Sequence, residues 1–319
     1  MFKMYYNSRR FKFMEKKMSD WRTSGFVKYS GAERIRKTMS FHGQAGNFYI
    51  DSSDGINEDV GIDEYCGRIL NIIRECDGKR FLMFKTSYSP KKTAMIKKLA
   101  NENGGDVLPF FIMCYYPDFY DDTVFQRKKL TELRKNTRKK HDIGFCSELK
   151  PYKHAKPSVE NKLVSWADKW YFGIGSGEKT GYYNITTRQE LYDKLSKSRF
   201  NFYHRDKLGF NEYIKKSFEW KVCFNPPGIG EYSARMLEHS ALGQAVVLRK
   251  NSYDNAISYK DYWPEVDFKK EDWEDDLQKI IDNYKYWEER SDEYYRKVYD
   301  SGTAITGYIT DKLNEYGIH

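Results

Sequence analysis

Asn225-Pro-Pro-Gly-Ile-Gly-Glu-Tyr-Ser-Ala-Arg-Met-Leu-Glu238 lies between two apolar runs, Lys221-Val-Cys-Phe224 and Gly243-Gln-Ala-Val-Val-Leu248. Short apolar runs bounded by glycine and proline read as buried parallel strands. The segment Glu231–Leu242 between them has the composition of a helix. The whole is therefore a strand–turn–helix–strand unit, the building block of an α/β fold. A turn through Gly228, Ile229 and Gly230 into a helix N-terminus presents unpaired backbone N–H groups, and the helix dipole favours an anion there. Glu231, Arg235, Glu238 and Leu242 are spaced four, three and four apart and share one stripe of that helix. On that stripe Arg235 is expected to meet a phosphate, and Glu238 to accept hydrogen bonds from sugar hydroxyls. The alternative is a row of ordinary helix-surface ion pairs, each worth only tenths of a kcal/mol.

Outward from this unit the alternation continues. Upstream strands are expected at Asp142–Cys146, Trp170–Gly173 and Phe200–Tyr203, with helices at Ser158–Asp168, Arg188–Lys197 and Asn211–Ser217. An earlier series has strands at Asn47–Ile50, Arg80–Lys85 and Val107–Met113, with a helix over Lys91–Asn103 that stops at Gly104-Gly105. Thr123–Lys140 is the connector. The division implied is a first α/β domain over residues 1–140 and a second over 141–319. The second ends in helices over Asp272–Val298 and Ala304–Tyr316, where Trp273, Leu277, Ile280, Ile281, Tyr284 and Trp287 recur at helical steps. The fold class expected is α/β, two Rossmann-like domains with a C-terminal helical extension.

Length and composition agree. The 319 residues carry 39% hydrophobic and 32% charged residues, a balance for a folded rather than a disordered chain. No apolar run approaches the ~20 residues of a membrane span, and no secretory signal is evident at Met1–Lys17. The five cysteines are scattered without a CxxC, which argues against zinc and disulfides and for a cytoplasmic setting. The net charge of +9 is uneven: residues 1–140 carry 28 Lys+Arg against 17 Asp+Glu, and the rest 27 against 29. Such asymmetry points to an anionic partner for the first half, or simply to a solvated basic surface.

The pattern Gly228-x-Gly-x-x-Ser233-x-Arg235-x-x-Glu238, followed by Gly243 and an apolar strand, resembles the donor domain of GT-B glycosyltransferases. It is most similar to the exostosin-like and CAP10-like groups, where the pattern reads Gly-x-x-x-x-Ser-x-Arg-x-x-Glu-Ala-Leu. Asp142-Ile-Gly-Phe-Cys-Ser147 resembles that domain's first strand and glycine turn, and Glu212-Tyr213 and Ser217 its approach to the motif. The likeness covers roughly residues 140–250. His239 and Ser240 depart from it, as does the seven-position step from Glu231 to Glu238. The resemblance implies a nucleotide-sugar donor, with a UDP-sugar the first expectation. It implies hexosyl or pentosyl transfer without a metal, and a donor set of Gly144, Ser147, Tyr213, Gly228, Ile229, Gly230, Glu231, Tyr232, Ser233, Arg235 and Glu238. The acceptor then belongs to the first domain. There a general base is sought in the polar loop Asp51-Ser-Ser-Asp54, with His42 behind it, although Asp in such loops is also an ordinary turn or cap residue.

For the acceptor, the basic first half interleaves cations with Phe2, Tyr5, Tyr6, Phe11, Phe13 and Trp21, as nucleic-acid-binding surfaces do. Lys85, Arg134, Lys135, Arg138, Lys139 and Lys140 are the candidate acceptor contacts. A chain of this composition is similar to phage enzymes that glycosylate hydroxymethylated pyrimidines in duplex DNA, acting in the host cytoplasm. The alternatives are a cytoplasmic polysaccharide or protein glycosyltransferase, and a non-catalytic DNA-binding protein.

Overall fold

The computed structural model describes residues 22–26, 38–51, 62–86, 88–111, 126–147, 149, 180–206, 208–226, 234–251, 254–299 and 303–318. It contains two five-stranded sheets. The first runs in chain order: β1 (Arg22–Phe26), β2 (Thr38–His42), β3 (Gly46–Asp51), β4 (Arg80–Lys85) and β5 (Gly105–Pro109). β1 to β3 are antiparallel neighbours, while β3, β4 and β5 are parallel. Helix α1 (Ile62–Cys76) joins β3 to β4, and α2 (Pro90–Asn101) joins β4 to β5.

Because strand side chains alternate, this sheet has two apolar faces. Tyr49, Phe81, Met83 and Val107 form one buried cluster with Ile69 and Ile72 of α1 and Ile96 and Ala100 of α2. Phe48, Ile50, Leu82, Phe84 and Leu108 point the other way. The sequential strand order puts both crossover helices on one face, so a distant segment must cover the second. That segment is the last helix, α9 (Thr303–Glu315), whose Ile305, Ile309 and Leu313 repeat at four-residue steps and join the same cluster. Its Tyr308 ring packs edge-on to Phe84 and Phe111, and its hydroxyl donates to Pro109 O at 2.9 Å. Just beyond, Tyr316 hydrogen-bonds Asp106 and Arg80 donates to Tyr316 O.

The second sheet is parallel throughout, with the order β7-β6-β8-β9-β10. Its strands are β6 (His141–Cys146), β7 (Phe202–Arg205), β8 (Trp220–Asn225), β9 (Ala245–Arg249) and β10 (Glu265–Val266). Helices cover both faces. Leu191 and Leu195 of α4 (Thr180–Ser196), with Leu277, Ile280 and Ile281 of α7 (Trp273–Asp282), pack on Ile143, Phe145, Val222, Phe224 and Val247. Tyr213 and Ile214 of α5 (Phe210–Ser217), with Met236 and Leu237 of α6 (Ala234–Ala241), share a cluster with Trp220, Cys223 and Val246. This is double winding, and the expected fold class holds: two Rossmann-like α/β units with a C-terminal helical extension.

Several element bounds differ from the sequence expectations. The strand placed over Val107–Met113 is β5, Gly105–Pro109, after which Phe110 and Phe111 lie outside the strand. The strand placed at Phe200–Tyr203 begins two residues later, at Phe202. The single helix expected over Asp272–Val298 is broken at Asn283, where α7 ends and α8 (Tyr284–Val298) begins. Asn283 turns its side-chain amide onto Lys279 O at 2.8 Å, the local competition for backbone groups that ends helices at Asn. The connector contains a helix, α3 (Arg127–Lys135). The helix expected at Ser158–Asp168 and the strand at Trp170–Gly173 lie outside the described residues.

The carboxyl ends of the two sheets meet. Asp254, beyond β9, bridges to Tyr88, beyond β4, with its N–H donating to Tyr88 O at 2.8 Å. Ala256 N–H reaches Phe110 O at 3.3 Å. Carboxyl ends of parallel strands are the edges at which α/β folds bind ligands, and here those of both sheets open onto one junction.

Gly144 has a packing reason. It lies inside β6 under the Trp220 indole, and a Cβ there would fall 2.3–2.7 Å from three ring atoms. Gly144→Ala is therefore expected to force the indole aside and cost about 1–3 kcal/mol, the range for overpacking a core. Urea denaturation of the variant checks this; an unchanged midpoint would show that the ring moves freely.

Candidate functional site

In a doubly wound sheet the chain reverses direction between two neighbouring strands, and a crevice opens at their carboxyl ends. Here those strands are β6 and β8. β6 ends at Cys146, followed by Ser147, and β8 ends at Asn225, followed by Pro226. Pro226, the last described residue before the predicted ligand turn, therefore lies at this edge. Gly228, Ile229, Gly230, Glu231, Tyr232 and Ser233 themselves lie outside the described residues, and α6 is described from Ala234.

Four residues of the predicted donor set come together here. Ser147 is buried, its carbonyl hydrogen-bonded to His204 Nε2 at 3.0 Å, while its hydroxyl has no hydrogen-bond partner among the described residues. Arg235, partly exposed on the first turn of α6, holds its guanidinium 5.8 Å from the centre of the Tyr213 ring. Burial pushes the Cys146 thiol up to about 11, and the nearby Arg235 charge partly opposes that rise. Arg235 thus projects its field over the end of β6. Glu238, one turn along the helix, is buried. Burial first, then the Glu238 charge, raises the Tyr213 phenol well above its ordinary range, against the pull of Arg235. Gly144, by contrast, is enclosed in the sheet beneath Trp220 and belongs to the core.

Behind Arg235 lies a buried polar relay not anticipated from sequence. The Tyr213 hydroxyl is 2.5 Å from His239 Nε2, and His239 Nδ1 is 2.9 Å from Gln244 Oε1. Gln244 Nε2 donates to Ser217 O at 3.0 Å, which leaves its Oε1 as the acceptor. His239 therefore carries its proton on Nδ1, and Nε2 accepts from Tyr213. Burial holds the imidazole down at about 4, so the ring is neutral at ordinary pH. The signal available in the sequence was His239, Ser240 and Gln244 within an otherwise apolar stretch, since buried polar groups must find partners.

On the facing sheet, Asp51 ends β3 and Lys85 ends β4, and the two are register partners. Both side chains are fully buried, with Lys85 Nζ 3.6 Å from the Asp51 carboxylate and 3.1 Å from Thr86 O. Asp54 lies outside the described residues. His42 is not behind Asp51: it pairs with Asn47 at the amino end of β3, where its Nε2 is 3.9 Å from Glu75. Antiparallel pairing carries β2 away from the loop that its sequence proximity suggested.

The basic run is also elsewhere. Lys139 donates to Trp220 O at 2.8 Å, and Lys140 N–H to Glu219 O at 2.7 Å, both at the amino edge of the second sheet. The run thus sits a full strand length from the crevice. Arg134 and Lys139 are engaged by buried Glu288 of α8, at 2.9 and 3.1 Å, and Lys285 reaches the same carboxylate at 3.2 Å. Lys140 pairs with Glu219 and Lys135 with Glu132. Arg138 is exposed.

Among the described residues no group of three His, Cys, Asp or Glu side chains is disposed to hold a metal ion. No helix among them is long and apolar enough to cross a membrane. No protein-family model and no curated protein matches the chain. Among solved structures it is similar to sucrose-phosphate synthase from Thermosynechococcus elongatus, at 10% identity and a TM-score of 0.44, covering 84% of this chain and 67% of that one. The fold class rests on the strand orders and helix placement described above.

Proposed function

We propose that this chain is a glycosyltransferase of GT-B type, with its nucleotide-sugar donor at the carboxyl ends of β6 and β8. The observation that carries this reading is the convergence of Arg235 and the buried Ser147 hydroxyl, which has no hydrogen-bond partner among the described residues, on the reversal point of a doubly wound sheet. Arg235 would neutralise the diphosphate as it leaves the anomeric carbon, and Ser147 would donate to it. Glu238 would hold hydroxyls of the ribose or the transferred sugar. As the bond to the leaving oxygen breaks, the acceptor oxygen forms its bond to the same carbon and gives up a proton. Asp51, 3.6 Å from Lys85, is the carboxylate on the facing edge that would take that proton.

A melting-temperature screen with UDP, GDP and their sugars tests the donor site, because a ligand that binds the folded state raises its stability. Arg235→Ala is expected to weaken that ligand roughly 10–100-fold, the loss of one or two charge-assisted hydrogen bonds, with little change in the unliganded melting temperature. A variant that binds as well as the parent would sink the assignment.

The acceptor reading retained is a hydroxymethylated pyrimidine in duplex DNA, supported by the excess of basic residues in positions 1–140. Incubation with hydroxymethylated DNA and labelled sugar nucleotides decides it. Label that fails to reach DNA, from a donor the protein does bind, would redirect the search to glycan or protein acceptors.

A further inference from the structure

The Arg134–Lys140 run lies at the amino edge of the second sheet and lines a concavity of about 430 Å³ between α3 and α8. Among the described residues Arg134, Lys135, Arg138, Lys139 and Lys285 line this space, with Glu288 the one carboxylate. The lining therefore has a formal excess of four positive charges. Glu288 is the device that gathers them: nearly buried, it holds Arg134, Lys139 and Lys285 within 3.2 Å of one carboxylate. One negative charge cannot satisfy so many cations. Among the described residues the buried Arg134 Nε has no hydrogen-bond acceptor, and no acidic side chain pairs with Arg138. Lys135 has Glu132 at 3.2 Å, an exposed pair of little strength. Burial lowers the affinity of Lys139 for its proton, and the Arg134 charge lowers it further, although Glu288 pulls the other way. A cluster of partly dehydrated cations that repel one another is stabilised by an added anion.

We infer that this concavity is a binding site for phosphate groups, separate from the donor crevice at the opposite edge of the sheet. Guanidinium groups at Arg134 and Arg138 suit the tetrahedral oxygens of a phosphate, and the lysines add point charge. The shared chemistry is a phosphate ester or a polyphosphate, supplied either by a free phosphorylated compound or by a nucleic-acid backbone. The inference does not depend on glycosyl transfer.

Calorimetric titration of the full chain with orthophosphate, tripolyphosphate and a 12-base-pair duplex tests it, at low and moderate salt. Tripolyphosphate is expected to bind, more weakly as salt rises. The double variant Arg138→Gln, Lys285→Gln alters two exposed side chains and should weaken that binding at least tenfold with little change in melting temperature. Lys98→Gln with Lys279→Gln makes the same change in net charge on exposed lysines elsewhere, and should leave binding within about twofold. Duplex that competes with tripolyphosphate marks the backbone as the source; tripolyphosphate binding without competition marks a free phosphorylated compound. No binding of any probe, or equal losses in the two double variants, overturns the inference.

Discussion

Replacing Glu288 with alanine is expected to cost about 3–5 kcal/mol of folding stability, because it leaves the Arg134 and Lys139 charges buried without their partner. Their side chains are 13% and 12% exposed, and Glu288 itself 6%, so water cannot take over the role of the carboxylate. Burial alone would raise the Glu288 carboxyl, but Lys139 and Arg134 outweigh it and hold the group below its usual range. The contact matters beyond two charges. It fastens the connector helix α3 to α8, which in turn is held to α6 through Ser240 Oγ to Ser291 O at 2.6 Å. A companion variant isolates the electrostatic part: Arg134→Leu, Lys139→Met and Glu288→Leu together remove the cluster, and such replacements are often close to neutral. Urea denaturation at pH 7 compares them. A loss below about 1 kcal/mol for Glu288→Ala would mean that the two cations reach solvent more easily than their burial indicates.

The second large effect is a pH dependence centred on His239. With its imidazole held at about 4 in the folded protein and near 6.5 when free, the side chain is neutral in both states above pH 6.5. As pH falls below 6.5, the unfolded chain takes up a proton that the folded chain refuses, and stability declines. The decline ends near pH 4, where the folded ring also becomes protonated. At 1.36 kcal/mol per pH unit this window amounts to about 3 kcal/mol. Carboxylates titrate in the same region, so the measurement is a difference between the parent and His239→Gln, which has no proton to take up. That difference should be constant above pH 6.5 and shift by about 3 kcal/mol in favour of the variant between pH 6.5 and 4. A difference that stays flat across the window would show that His239 gains solvent or a new partner on protonation.

What the sequence revealed follows from how local each signal is. β8, the helix after it and β9 were legible because Val222, Phe224, Val246 and Val247 make short apolar runs punctuated by glycine and proline. Helix α1 was passed over although Ile69, Ile72 and Cys76 are spaced for one face. The first strand, Arg22–Phe26, carries no period, whereas Thr38–His42 alternates polar and apolar residues over only five positions, a signal too short to stand out. At the candidate site, the position of Ser147 was legible because it directly follows β6, and the nearness of Arg235 to Glu238 because three-residue spacing on one helix sets them on one side. The location of the Arg134–Lys140 run was not. Which edge of a sheet a charge run faces depends on where the next strand starts, and Lys139 is fixed by Trp220, 81 positions away. The separation of His42 from Asp51 has the same origin. Its β-hairpin partner Asn47 sets it at the far end of the strand from Asp51.

The reach of α9 across the molecule also constrains how the chain can be made. The hydrogen bond from Tyr308 to Pro109 spans 199 positions, and Phe48, Leu82 and Phe84 share a cluster with residues that emerge more than 200 positions later during synthesis. Until then the first half presents a naked apolar surface, each of its large side chains worth roughly 1.5–3 kcal/mol of burial still to be gained. Closing so long a loop is slow, and partly covered sheets are prone to associate while they wait. The first sheet can therefore be completed only after the strands of the second have been made, because α9 follows them in the sequence.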